Sequence, residues 1–207
     1  PAYLSAMTTT LLAIDTAGPR LQLALLHGGH TDTLVEDMPT GQAERIFPAI
    51  AELLARNGVA YAGLTRVATT TGPGSFTGVR IGLSAARGLG LALGIPVIGV
   101  PSLFAISLAA SGAALAVLLD ARREEAYFQL FSGPARPIGE PALLPMAEAQ
   151  GKVPVGAEVI TSPFPDIALV AAFAATADAK THPPDAAYIR DADAKPQEKF
   201  KVARAPA

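Results

Sequence analysis

The stretch LLAIDTAGPRLQLALL, Leu11 to Leu26, sets two apolar runs on either side of a turn, and the first run ends in a carboxylate, Asp15. A short, unbroken apolar run bounded by turn residues has the pattern of a buried strand, and a second run following it makes a hairpin. The plan returns near the middle of the chain. AVLLD (Ala116 to Asp120) is again apolar and closed by a carboxylate, followed by ARRE and then AYFQLF (Ala126 to Phe131). Two copies of one strand-Asp-turn-strand unit, about half a chain apart, predict a duplicated fold.

Outward from the first hairpin, the residues predict a third short strand and then a helix over GQAERIFPAIAELLARNG. Ile46, Ile50, Leu53 and Leu54 recur there at helical spacing, and Asn57-Gly58 supplies a stop. Pro48 inside this segment predicts a start displaced toward Ile46 or a bend. RVATTTG reads as a strand, the helix after it ends at Gly94, IPVIGV is a buried strand and SLFAISLAA a short helix. Strands alternating with helices after an antiparallel opening give an α/β class with mixed sheets. The second half is thinner: beyond its hairpin it offers a strand near 153–160, a helix near 166–176 and a Pro-rich tail from His182. The expected division is 8–108, 114–190 and a tail, 191–207.

Composition narrows the function. The 207 residues carry 16 basic and 18 acidic side chains, a net charge of −2, which argues against a free-standing nucleic-acid binder. Without cysteine there is no disulfide, thiolate nucleophile or thiolate metal site, as fits a reducing cytoplasm. No charge occurs from Gly88 to Leu119, but Gly94, Pro96, Gly99, Pro101 and Gly112 cut the run into strand-sized and short-helix pieces, so a soluble core is expected rather than a membrane span. The opening PAYLSA lacks the basic and apolar regions of a signal peptide.

The glycine-rich stretch TTTGPGSFTGVRIGLSAARGLG, Thr69 to Gly90, invites three catalytic readings, and each fails on a named residue. A phosphate-binding P-loop needs a lysine that Gly74 to Arg80 does not contain. A dinucleotide fingerprint from Gly72 needs glycine where Thr77 stands. A nucleophile elbow on Ser75 needs glycines where Pro73 and Thr77 stand. What remains is a sharp strand-to-helix turn with Ser75 or Thr77 as helix cap, whose free N–H groups could attract an anion. Along the helix, Gly78, Gly82, Ala86 and Gly90 leave one flank nearly without side chains. Either this protein's own sheet or a helix of another chain can approach it closely. Asp15 and Asp120 could hold a nucleotide's metal ion through water or merely close Asx turns. His27 and His30 read as solvated, and Lys195, Lys199, Lys201 and Arg204 form a basic tail.

Taken together, LLAIDTA, QAERIFPAIAELL, TTTGPGSFTGVRIGLSAARGLGLALGIPVIGVPSL, LLDARREEAYFQLF and YIRDADAKPQ resemble the TsaB (YeaZ-type) family of bacterial tRNA threonylcarbamoyladenosine biosynthesis. The resemblance implies an actin/Hsp70-like (ASKHA) fold of two ribonuclease-H-like halves with mixed sheets, the second half reduced. It implies a cytoplasmic, noncatalytic subunit that pairs with the catalytic paralogue TsaD and the ATPase TsaE, meets tRNA only through the complex, and forms a homodimer in isolation. No cofactor is implied for the isolated subunit, with ATP or ADP and metal possible only in the complex. Gly41 to Arg56 carries no histidine where the paralogue has its paired metal-binding histidines, and the adenine loop is reduced to Val155-Gly156-Ala157. Asp15, Asp120 and Gly156 are the weak nucleotide candidates. The implied partner surface is Glu44, Arg45, Ile46, Ile50 and Leu53 with Ser75, Phe76, Thr77, Gly78, Arg80, Gly82 and Ala86, where Gly78, Gly82 and Ala86 line the contact and Glu44, Arg45 and Arg80 orient it. The alternative is an enzyme in its own right, an actin-like ATPase or a metal-dependent glycopeptidase of M22 type.

Overall fold

A computed structural model describes residues 9–189; the opening PAYLSA, the basic tail and the 191–207 segment lie outside the described residues. β1 (Leu11–Asp15) is buried on both faces, as its unbroken apolar run requires. Its alternating side chains divide between two cores: Leu12 and Ile14 join one cluster, Leu11 and Ala13 another. β2 (Arg20–His27) pairs antiparallel with β1, and β3 (His30–Asp37) antiparallel with β2. α1 (Gln42–Arg56) crosses to β4 (Arg66–Thr70), which lies parallel to β1. α2 (Phe76–Leu93) crosses to β5 (Val97–Val100), parallel to β4. The sheet order is β3-β2-β1-β4-β5.

After α3 (Ser102–Ser107) the plan repeats. β6 (Leu115–Asp120) pairs antiparallel with β7 (Glu125–Phe131) and parallel with β9 (Glu158–Ile160), while β8 (Pro137–Pro145) pairs with β7. The order β8-β7-β6-β9 is that of the first sheet without its fifth strand. The six-residue α4 (Met146–Gly151) stands where the first half has the fifteen-residue α1. α5 (Ile167–Thr176) then returns to the first half. Its Ile167, Val170, Ala171 and Ala174, spaced to share one helical face, pack with Leu11, Ala13 and Ala24. A segment that the sequence assigns to the second half therefore buries its helix on the first sheet.

Several local expectations meet their physical cause here. α1 ends at Arg56 with Asn57 as C-cap, and α2 ends at Gly94 in the left-handed conformation, φ +64°. Pro48 does not displace the start of α1, which begins at Gln42. The sequence reading missed β8 because PIGEPALLP holds three prolines, which an edge strand tolerates. The uncharged run is split among the end of α2, β5, α3 and β6, and among the described residues no helix is long and apolar enough to cross a membrane.

Candidate docking site

The glycine-rich turn grips the end of β1. Ser75 N–H donates to the Ala17 carbonyl at 2.7 Å, and Thr16 Oγ1 donates to the Gly78 carbonyl at 2.7 Å. Ser75 Oγ accepts from Gly78 N at 3.2 Å and so caps α2. With both ends of the turn fixed, one flank of α2 lies directly on the strands below. A Cβ on Gly78 would meet the Thr16 carbonyl, and one on Gly82 would lie 2.7 Å from Thr16 Oγ1 and 3.0 Å from Thr69 Oγ1. A Cβ on Gly90 would meet the Val97 side chain, and Ala86 is wholly buried in the core.

The small-residue flank therefore faces this protein's own sheet, which corrects its expected place on an outside contact. Gly78, Gly82 and Ala86 are small so that α2 can approach β1 and β4. Ile50 and Leu53 are corrected likewise: both are fully buried in the core beneath α1. Arg45 is held within the molecule. Its guanidinium binds Glu36 of β3 at 2.6 Å and Glu52 of α1 at 2.7 Å, and both carboxyls are held below their ordinary range by its hydrogen bonds.

The outward side is different. Between α1 and α2 lies a groove of about 480 Å³ with Ile46, Ile81 and Ala85 among its lining and Phe47, Phe76 and Arg80 contributing from the two helices. Phe47 and Phe76 are 48% and 53% exposed, unusual for side chains that large. Thr77 and Ser84 add hydroxyls, and Glu44 is exposed on α1. Of the expected surface, Phe76, Thr77 and Arg80 come together here, while Ile46, 2% exposed, belongs to the core with Ile50 and Leu53 and forms only the floor of the groove. The sequence reading missed Phe47, Ile81 and Ser84. Phe47 carried a signal: it is a large apolar side chain off the buried stripe of α1.

The paired carboxylates part company. Asp15 is inaccessible to solvent: Oδ1 accepts from Thr70 Oγ1 at 2.6 Å and Ala17 N at 3.2 Å, and Oδ2 from Gln22 Nε2 at 2.9 Å. Burial raises its pKa against those hydrogen bonds. Asp120 is exposed, and its Oδ1 accepts from Arg122 N at 2.7 Å in an Asx turn. Gly156 is exposed with φ +79° in the turn before β9. Among the described residues no three His, Cys, Asp or Glu side chains converge for a metal ion. A divalent cation would need oxygens that Asp15 has already committed, so this donor set does not fit one.

The repeated strand order defines the class: two ribonuclease-H-like halves, in the actin/Hsp70-like (ASKHA) arrangement. A crystal structure of an uncharacterized Pseudomonas aeruginosa protein with similarity to peptidase YeaZ superposes with a TM-score of 0.75 at 28% identity, covering 88% of this chain and 100% of that one. Residues 40–160 match the family described as TsaD, tRNA N6-adenosine threonylcarbamoyltransferase, and the chain belongs to that family. Within it the chain is similar to the proteins named TsaB. It is 38% identical over 122 residues to the tRNA threonylcarbamoyladenosine biosynthesis protein TsaB of Escherichia coli, covering 57% of this chain and 53% of that protein. The Bacillus subtilis protein of the same name is 37% identical over 130 residues, covering 59% and 55%. The chain thus spans about half the length of the curated relatives it matches.

Proposed function

We propose that this chain is a noncatalytic scaffold and activator in the biosynthesis of tRNA threonylcarbamoyladenosine, acting in the cytoplasm. It docks the catalytic paralogue of the TsaD type through the α1/α2 groove, with the ATPase TsaE joining the complex and tRNA reached only through it. A second copy of the chain takes the groove when the paralogue is missing. The groove carries this reading: two half-exposed phenylalanines flank an open apolar cleft, while the carboxylate best placed for chemistry, Asp15, is sealed inside the fold. Exposed aromatics that enter a partner's core are the side chains on which association free energy concentrates.

Calorimetry with the purified paralogue, beside mass-spectrometric measurement of the modified nucleoside, tests it. Phe47→Asp is expected to weaken the complex by roughly 30-fold or more and to lower modification in parallel, with the melting curve unchanged. Undiminished binding, or ATP turnover by the isolated chain, overturns the reading.

A further inference from the structure

At the rim of the groove, Arg80 is held from three sides. Its guanidinium carbon lies 3.5 Å from the centroid of the Phe76 ring and 5.7 Å from that of Tyr188, and Nε donates to Tyr188 Oη at 3.0 Å. The two rings stand 5.9 Å apart. Tyr188 comes from a strap, residues 182–189, that crosses back over the first half. The strap is fastened by Gly99 N to the His182 carbonyl (2.9 Å), Ala187 N to the Thr71 carbonyl (2.8 Å) and Arg87 to Asp185 (2.6 Å). Arg45, Arg56 and Arg87 are each satisfied by a carboxylate, but among the described residues Arg80 has none.

Stacked on the Phe76 face, with Nε–H given to Tyr188, the guanidinium has its Nη1 and Nη2 N–H groups left over, and these match the two oxygens of a carboxylate. Restricting its rotamers in advance removes much of the entropy that ordering a long side chain on binding would cost. The remainder of the groove is apolar or carries neutral hydroxyls. Its occupant therefore needs an apolar face bordered by one acidic side chain, as an amphipathic helix supplies. We propose that Arg80, positioned by Phe76 and Tyr188, binds a carboxylate on a helix of the partner protein and so fixes the register of that helix in the groove. This rests on the docking function proposed above.

The test uses the full chain with the threonylcarbamoyltransferase paralogue of the same genome, titrated at about 50 and 300 mM NaCl, where screening differs substantially. The unaltered complex is expected to weaken with salt. Arg80→Met is expected to weaken it about 5- to 10-fold and to flatten that dependence, with a larger loss for Arg80→Glu. Arg80→Lys, which keeps the charge and loses the fork, should fall between. Tyr188→Phe, which removes only the positioning hydrogen bond, should weaken binding about 2-fold. A salt-insensitive parent complex, or Arg80→Met binding as the parent does, overturns the inference. If Phe47→Asp abolishes binding in that same series, the docking surface stands and the carboxylate contact alone falls. If Phe47→Asp binds normally, both fall. Loss of self-association alone in Arg80→Met, followed by sedimentation, would assign the carboxylate to a second copy and overturn the inference as stated.

Discussion

The two halves start from one plan and arrive at opposite strand ends. Each opens with an apolar strand closed by an aspartate and followed by a hairpin, β1 with Asp15 and β6 with Asp120. In the first half the strand end is covered. The Gly72 to Gly78 turn bonds to Thr16 and Ala17, and Gln22 Nε2 bridges Asp15 and the Pro165 carbonyl, the latter at 3.3 Å. Phe164 closes over Gly18, 3.3 Å from where its Cβ would stand, with Arg20 stacked 3.9 Å above the ring centroid. In the second half nothing comparable among the described residues covers Asp120, which is exposed and closes its own turn. The same local motif thus yields a buried junction in one half and a solvated turn in the other. What lies over the carboxylate decides its role, not the strand that carries it.

The sharpest way to break this comparison is to force α2 off the first sheet. Gly82→Leu is expected to destabilise the protein by about 4 kcal/mol or more, because the added side chain meets Thr16 and Thr69 where no rotamer avoids them. Urea unfolding measures this, and a variant as stable as the parent would place that flank outside the core. Next in size is the pair of carboxylate deletions. Asp15→Ala strands three buried donors and should cost about 3 kcal/mol or more, whereas Asp120→Ala frees one exposed N–H to water and should cost less than about 1 kcal/mol. Equal losses would erase the distinction between the halves.

The smallest effect is a dependence on pH. Because burial raises the folded pKa of Asp15, its contribution to stability is fully present below the ordinary carboxylate pKa and is lost as pH rises through the raised value. Asp32, lowered by hydrogen bonds from Arg56, and Glu36, lowered by those from Arg45, act in reverse: they stabilise above the ordinary value, and the effect is lost in acid. Asp15→Asn removes the contribution that opposes these two. Its stability deficit relative to the parent should therefore grow as pH falls from about 7 to about 4, by denaturant melts at each pH. A deficit that shrinks in acid would show that Asp15 is not held as a desolvated carboxylate.

Much of the fold was legible because its signals are local. The duplicated strands follow from apolar runs ending at turns, the limits of α1 and α2 from Asn57, Ser75 and Gly94, and α5 from a spaced apolar face whose cap, Asp166, accepts from Ala168 N and Leu169 N. β8 escaped because its prolines contradict strand statistics that edge position relaxes. Of the candidate site, Phe76, Thr77 and Arg80 were placed only through the family resemblance; the residues alone gave a capped turn and a small-residue flank, and that flank turns inward. Tyr188 was quoted for its resemblance, but its contact with Arg80 joins residues 108 positions apart, across the end of the first half and nearly all of the second.

By itself, then, the sequence determined the repeated α/β plan, the helix ends and the failure of the phosphate-loop and nucleophile readings, because each rests on residues within a few positions of one another. Only the tertiary structure decided which flank of α2 turns inward, that Asp15 is sealed while Asp120 is solvated, and that the outward cleft belongs to Phe47, Phe76 and Arg80. The reason is that a helix with small residues on one flank satisfies equally well a strand beneath it or a helix beside it. The choice is made by a contact such as Thr16 to Gly78, between residues 62 positions apart, which no local pattern encodes.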